Sequence, residues 1–558
     1  MPGVVRTVVL GLLIAVLGAS PAWADWTTYH ADPGRSGLDR SGGAPGPFGA
    51  AWSAPLAGKV EAEPLAYQGL VIVATEGNDL YGLDAASGHV VWHANGGPAV
   101  PATNLPCGSI SPTVGITSTP VIDPANGELL AVADLLDAGN RAHHTLIAYN
   151  ARTGAELFRR NVDPPGATPE NQLQRAALNV SSGNVLIGYG GNDGDCASYL
   201  GYLVSTSEAA ASTAVNVWKA PSSNGDAIWG TGGVAVDGAQ NAFAATGNGF
   251  DTKAFDHGES LVKYDANARE LDYFAPSSWS SDNANDLDLG SVAPELLPGG
   301  LAFQGGKNGN GYLLDTTHLG GIGGQVFSAP VCASFGADAF AGQTIYVACA
   351  DGIRALSVDT TNRRFTSLWH GPSNANGPPI IAGGLVWVTA FNNSRLYGLD
   401  PQTGAVRVNQ PTPSMVHFTS PTADNGRLFL ATDATVEAYT IGASTPGTPV
   451  GVGAPEPPLG PAPPTVNPPS RSGCGRLSFR LDRARQTRIV RVAVYLGHRR
   501  LTHRRGRRLL KASIIAPRAG SFSLRVVETT RLGHRFTVTV RFRNCHQVVA
   551  HSRRRRHR

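Results

Sequence analysis

Along the first 440 residues, apolar and polar positions alternate in short runs, each ended by a turn signal. The clearest run, Leu80-Tyr81-Gly82-Leu83-Asp84, continues through Ser87-Gly88 to Trp92. The same phrase recurs at Leu146-Ile147-Ala148-Tyr149-Asn150, through Thr153-Gly154 to Phe158, and at Leu396-Tyr397-Gly398-Leu399-Asp400, through Thr403-Gly404. Weaker copies begin at Tyr202, Leu261, Tyr312, Ile353 and Val436, making eight copies spaced 40 to 66 residues apart. Two-residue alternation predicts a strand, and the Asp or Asn ties the following turn to its own backbone. The Gly supplies the positive φ, and the aromatic belongs to the next strand. One such unit cannot bury both of its faces. Stacked radially, the units bury one another, so this spacing predicts an all-β propeller.

Beyond the repeats, residues 444–470 hold 10 Pro in 27 residues, which predicts an extended spacer over 443–470. Its reach is about 80 Å. Alternation returns at Leu477/Phe479/Leu481, Ile489 to Leu496, Phe522/Leu524/Val526 and Phe536/Val538/Val540/Phe542, predicting a small β-sandwich over 471–546. The charged run that closes the chain, within 547–558, reads as a disordered tail.

Charge separates these regions. Of 45 Lys and Arg, 25 lie in residues 471–558, where the only acids are Asp482 and Glu528, a net of +23. That leaves 20 basic against 39 acidic residues in 1–470, a net of −19. A basic surface of that strength binds polyanions. With no nucleic-acid-binding motif and few aromatics among the basic residues, specific nucleic-acid recognition is not expected.

Residues 1–24 read as an export signal: Arg6, then Val8 to Leu17 as an apolar core, then Ala22-Trp23-Ala24. No later segment suits a transmembrane helix. The mature chain is expected outside the cytoplasm, in the periplasm or at the cell surface, as a monomer. Six Cys there suit disulfides. Sequence alone leaves the connectivity open. The favoured pairs are Cys474 with Cys545, Cys332 with Cys349 across a hairpin, and Cys107 with Cys196. His143-His144 reads as a solvated pair on a strand or loop. Gly230 to Ala235 fits a dinucleotide pattern but lacks the βαβ context that would give it meaning.

The repeated phrase resembles that of the pyrroloquinoline-quinone-like (PQQ-like) propellers, the fold of quinoprotein alcohol dehydrogenases. The resemblance covers residues 25–442 and implies eight blades. The copy at Val436 lacks an outer strand, and Ala51-Trp52-Ser53-Ala54-Pro55-Leu56 looks like that strand, so the two ends should pair and leave no open edge. Asp25 to His30, with Arg35-Ser36-Gly37, is similar to the family's opening.

The same resemblance implies a site. Ile228-Trp229-Gly230 resembles the segment with the Trp beneath the quinone, and Ala245-Thr246-Gly247-Asn248 the one with a calcium-ligating Asn. Asp286-Leu287-Asp288 resembles the catalytic Asp segment, and Gly305-Gly306-Lys307-Asn308-Gly309 the one with the basic residue at the quinone oxygens. Trp229 and Lys307 are thus the implied cofactor residues, Asn248 the metal residue, and Asp286 or Asp288 the base. The family's calcium-ligating Glu has no counterpart, and Asp193 and Asp195 are the acids available in its place. Independently of the family, Asp282 to Gly290 packs an oxygen-rich cluster, either a hard-cation shell or ordinary turn formers. The chain lacks the paired adjacent Cys and the haem motif of the dehydrogenases. The leading expectation is therefore a binding or scaffolding propeller that requires no cofactor. It would engage a protein partner through its blade edges and be held near anionic envelope polymers by its basic domain. The alternative is a PQQ- and calcium-dependent alcohol or sugar dehydrogenase.

Overall fold

In a computed structural model describing residues 25–41, 47–441 and seven strands between 476 and 554, each copy of the phrase becomes the third strand of an antiparallel sheet. The expected export signal, the Pro-rich spacer and the Cys474–Cys545 bridge lie outside the described residues. The chain divides into two compact units, Met1–Gly453 and Ala454–Arg558.

The first unit is an eight-bladed propeller. Blade one shows the pattern: Leu65–Tyr67, Leu70–Ala74, Asp79–Asp84 and Val90–Asn95 pair in sequence order. Its turn forms as the sequence requires. Asp84 Oδ1 accepts from the Ala86 and Ser87 amides and the Ser87 hydroxyl, at 3.1, 2.8 and 2.7 Å. Asn150 and Asp400 repeat that arrangement in blades two and seven.

The glycine of each strong copy has a second task. Gly88, Gly154 and Gly404 sit at φ of 74°, 69° and 69°. A Cβ on each would come within 2.5, 2.4 and 2.5 Å of an indole ring: Trp52, Trp92 and Trp369 respectively. Each of those Trp residues belongs to the outer strand of the preceding blade. The phrase therefore encodes the joint between neighbours: an indole from one blade lies flat on the bare glycine turn of the next.

The ring closes as the sequence implies. Gly49–Pro55 pairs antiparallel with Thr435–Thr440 as the outer strand of blade eight, and the Trp52 Nε1 donates to the Ala85 carbonyl of blade one at 3.2 Å.

A second closure was not legible in the alternation. The segment Trp26–Ser41 winds past the first strand of every blade in order. Trp26 exchanges backbone hydrogen bonds with Ala66, and the Thr27 carbonyl accepts from Ile122. The Thr28 hydroxyl donates to Leu178 O. The carbonyls of Pro33, Gly34, Ser36 and Gly37 accept from Val236, Leu296, Phe340 and Ile381. The Ser41 hydroxyl accepts from the Asn425 amide of blade eight. Arg35, fully buried, gives its guanidinium to Thr28 Oγ1 and to the carbonyls of Tyr29, Leu178 and Val234. A buried charge is tolerable only with acceptors gathered around it, here at both terminal nitrogens. The segment fills the bore from within.

Two disulfides lie in this unit and have the expected partners: Cys107–Cys196 and Cys332–Cys349. The hairpin Ala339–Ala341/Thr344–Val347 lies between the second pair. No helix among the described residues is long and apolar enough to cross a membrane.

The second unit contains a two-stranded sheet, Arg476–Arg480 with Lys511–Ile515, and a five-stranded sheet. The latter comprises Arg499–Arg505, Ile489–Leu496, Ser521–Thr530, Arg535–Arg543 and His546–Arg554, all antiparallel. The described residues of all four expected alternating runs lie on strands, Leu481 falling outside them. The last strand differs from expectation: much of the run read as a disordered tail pairs with Arg535–Arg543, because that strand offers a free ladder on which to add it.

Candidate axial binding site

In an up-and-down blade, the loop entering the first strand and the loop joining the second to the third emerge at the same end. Residues from these loops, in several blades, therefore converge near the axis. The four segments singled out in the sequence are all of this kind, and the structure brings them together.

Lys307, on the second loop of blade five, is the centre. Its ammonium contacts Asp288 Oδ2 and lies 3.1 Å from Asp286 Oδ1. It also stands 5.2 Å from the centroid of the Trp229 ring, within cation–π reach. Asp288 Oδ1 accepts the Asn248 backbone amide at 2.6 Å. Glycine makes this approach feasible, since a Cβ on Gly247 would lie 2.6 Å from the Trp229 Nε1 and 2.9 Å from Asp288 Oδ1. Asp195 accepts the Tyr199 hydroxyl at 2.7 Å, and its carboxyl is influenced by both Asp286 and Lys307. Trp229, Lys307, Asn248, Asp195, Asp286 and Asp288 thus form one constellation.

The two aspartates are not equivalent. Asp288 is almost sealed, with a side-chain exposure of 3% against 55% for Asp286. Burial pushes the Asp288 carboxyl up against the opposing pull of Lys307. Burial would lower Lys307, but the two carboxylates outweigh it and hold the ammonium above its ordinary value. Glu259, buried next to them, is pushed well up by burial and by Asp288, and gives Oε2 to the Leu289 amide.

Sequence reading missed the opposite wall. Phe418 meets Trp229 edge-on at 6.4 Å, and Arg175 lies over Phe418 at 4.7 Å. His417 stacks on Phe418 at 3.7 Å, with Phe335 and Phe391 beside them. Arg175, lowered by burial, is countered by Glu61, Asp193 and Glu76. These residues occur in loops without a repeated motif. A lone basic or aromatic residue ahead of a blade's first strand was the only signal available.

The oxygen-rich stretch Asp282 to Gly290 does not form one shell. Helix Trp279–Asn285 and the left-handed Asp286 turn its side chains to different partners. Asp282 takes Ser278 and Asn308, Asn283 takes the Gly249 amide, and Asp288 takes Lys307. Among the described residues, no three His, Cys, Asp or Glu side chains close on one point as a metal centre. The Cys107–Cys196 bond lies beside this site, tying the loop after blade one to the Asp193–Asp195 loop of blade three.

His143 and His144 stand on a blade-two strand, as expected, but His144 is buried rather than solvated. It lies between Asp134 at 3.1 Å and Asp163 at 2.9 Å, and that pairing makes its burial tolerable.

Comparison with known proteins agrees with the fold. The family model described as outer membrane protein assembly factor BamB matches residues 49–137. A quinohemoprotein alcohol dehydrogenase from Pseudomonas putida HK5 superposes with a TM-score of 0.59 at 15% identity, covering 80% of this chain and 83% of that one. The quinohemoprotein alcohol dehydrogenase from Comamonas testosteroni gives 0.55 at 17%, covering 76% and 82%. A europium-containing methanol dehydrogenase gives 0.57 at 12%, covering 76% and 98%. No curated protein matches the chain. At these identities the likeness establishes the architecture: residues 49–441 form a PQQ-like eight-bladed β-propeller.

Proposed function

We propose that this PQQ-like propeller is an extracytoplasmic binding protein whose axial site takes a planar polyanion of the pyrroloquinoline-quinone class together with a divalent cation. The convergence of Trp229, Lys307, Asp288, Asn248 and Asp195 at one end of the axis carries the proposal. Trp229 is half-buried and offers an aromatic face, with Lys307 over its ring and Arg175 over the neighbouring Phe418 supplying positive charge.

The charges fit such a pair. Asp195, Asp286 and Asp288 outnumber the Lys307 ammonium beside them, so a divalent cation would offset the excess acid that would otherwise repel an anionic ligand. Asp195 and the Asn248 amide oxygen would be its protein ligands, consistent with calcium's preference for oxygen donors. A bound quinone supplies two-electron oxidation. The chain's own residues would orient it: Trp229 by stacking, Lys307 by hydrogen bonding to an oxygen at its edge. The buried side chains of the bore segment, Trp26, Thr28, Tyr29, His30 and Arg35, would limit access of water from the far side.

Binding is favoured over turnover because the sealed Asp288 is already held by Lys307, which weakens it as a base. Catalysis is the second reading, favoured by the direct Asn248–Asp288 contact that places a base beside the expected cation. Equilibrium dialysis with PQQ and calcium tests the first reading. The wild type should bind, and Trp229→Ala should bind about tenfold more weakly through loss of the aromatic contact. Failure of the wild type to retain quinone would sink the proposal. Dye-linked oxidation of an alcohol and sugar panel tests the second. Activity should vanish in Asp288→Asn while quinone binding persists, and an inert wild type carrying quinone would eliminate it.

Scaffolding and envelope tethering remain compatible with this reading. Val90 and Val91 on the outer strand of blade one, and Leu157 on that of blade two, are exposed apolar residues suited to a protein partner. The +23 charge of residues 471–558 supports retention on anionic polymers.

A further inference from the structure

Blade four departs from its neighbours. Its second and third strands, Ala242–Ala245 and Leu261–Tyr264, are separated by residues 246–260, whereas blade one joins the equivalent strands through residues 75–78 alone. A long connection needs anchoring, and this one folds back over the loop that enters blade four. The Asp226 amide donates to Asn248 O at 3.1 Å, and Gly225 bridges to Gly249. Helix Trp279–Asn285 holds the far side: Asn283 Oδ1 accepts the Gly249 amide at 3.0 Å, and its Nδ2 donates to Asp251 O at 2.9 Å.

The middle of this junction contains an unresolved charge. Asp226 is 0% exposed, yet neither carboxylate oxygen accepts a hydrogen bond of ordinary length. Asp256 is 7% exposed with Oδ1 in the same condition, and the Ser222 hydroxyl nearby acts on the Asp226 carboxyl. These oxygens face one space. A Cβ on Gly249 would lie 2.2 Å from Asp226 Oδ1 and 3.4 Å from Asp256 Oδ1. One on Gly258 would lie 2.5 Å from Asp226 Oδ1 and 3.0 Å from Asn283 Oδ1. Two glycines thus let the Asp226 carboxylate close against the 246–260 connection, where oxygens from three chain segments crowd together.

Among the described residues, no cationic side chain pairs with either carboxylate. The charged neighbour acting on Asp226 is Asp256; burial first, and then this second acid, push Asp226 up to about 8. Asp256 is raised chiefly by burial. Carboxylates this sequestered, with only the Ser222 hydroxyl acting on Asp226 and the Gly258 and Asp256 amides on Asp256, are strongly unfavourable unless a positive charge joins them. This differs from the axial site, where Lys307 supplies that charge. Oxygen donors alone suit a hard cation, and two carboxylates, an amide and a hydroxyl with backbone carbonyls suit calcium's irregular shell.

We propose that Asp226, Asp256 and Asn283, with the Ser222 hydroxyl, form a structural calcium-class site that fastens the 246–260 connection to the entry of blade four. Because this connection begins at the strand end that carries Asn248, the bound ion also steadies the amide that Asn248 gives to Asp288.

The test uses the full-length chain, stripped with chelator and titrated with calcium alone. Calcium should raise Tm by several degrees and slow proteolysis within residues 246–260. Asp226→Asn, nearly isosteric, should weaken the effect about tenfold or more, as expected for loss of a carboxylate ligand. Asp256→Asn should do the same, which keeps the test valid if one variant folds poorly. Asp195→Asn, which removes the carboxylate proposed to hold the axial cation, should retain the effect, separating this site from the axial one. A wild type indifferent to calcium, with Tm falling only as pH rises, means that the carboxyl pair shares a proton and overturns the proposal. Loss of the calcium effect in Asp195→Asn but not in Asp226→Asn would also overturn it.

Discussion

At the scale of single residues, much of the chemistry is decided by which buried groups find partners. Glu76 is buried and gives Oε2 to the Gly115 amide and the Thr117 hydroxyl, but burial and then Glu61 push it up to about 8. A carboxyl raised in the fold favours the protonated state. Its contribution is therefore intact below the ordinary value of 4.5 and lost as pH climbs towards 8. Glu76→Gln should leave Tm little changed at low pH and raise it above pH 8, by an amount reflecting a few kcal/mol at most. Parallel melts across pH check this. His144 has the opposite chemistry with the same sign. Burial works against its charge, but Asp134 and Asp163 outweigh it and raise it above 6.5. The stabilisation from these pairs should be present in acid and fade as pH rises through the folded value. In His144→Gln the difference from wild type should accordingly shrink at alkaline pH. Neither effect was readable beforehand: the alternation marks His144 as a strand residue but cannot reveal that Asp163, from another strand's end, would reach it.

At the scale of elements, the recurring phrase gave more than strands and turns. Its Gly and its aromatic are halves of one contact, separated between adjacent blades. Gly154→Ala should destabilise the propeller by about 1–3 kcal/mol, since the new methyl meets Trp92 and the backbone is left-handed. Urea denaturation would measure it, and a neutral result would mean that the indole can move aside. Trp52→Ala removes the indole at the one joint where the chain's ends meet, and should cost about 1–4 kcal/mol. The equivalent contacts of weaker copies were less legible because their glycine or aromatic is missing, and those joints use other pairs, such as Trp218 Nε1 to Glu270 at 2.8 Å. The site's segments were recognisable because each carries a short resemblance. The Arg175–Phe418 wall was not, since nothing local distinguishes those residues from ordinary loop side chains.

For the whole molecule, two closures and one charge asymmetry set the behaviour. Thr435–Thr440 zips to Gly49–Pro55 at the rim, and Trp26–Ser41 laces the first strands from inside. Removing residues 25–41 should abolish cooperative folding rather than merely lower Tm, because every blade loses a backbone partner and Arg35, with its acceptors, goes too. Differential scanning calorimetry would show it. For the charge asymmetry, full-length protein should bind an anionic polymer resin at low salt and elute as salt rises, whereas a chain ending at residue 470 should flow through. Equal retention of both would dissociate the basic unit from that role. The sequence by itself determined the eight copies of the repeat and the opposed charges, because these follow from periodicity and composition, which are written locally; eight blades and the pairing of the ends came from the family resemblance, and the cysteine pairs were favoured but left open until the structure joined two of them. Only the tertiary structure decided that the opening segment fills the bore, that Lys307 bridges two aspartates over Trp229, and that Asp226 and Asp256 share a sealed space. Those arrangements join residues tens to hundreds of positions apart, and their energetics depend on burial, which alternation indicates for a strand's face but not for a loop.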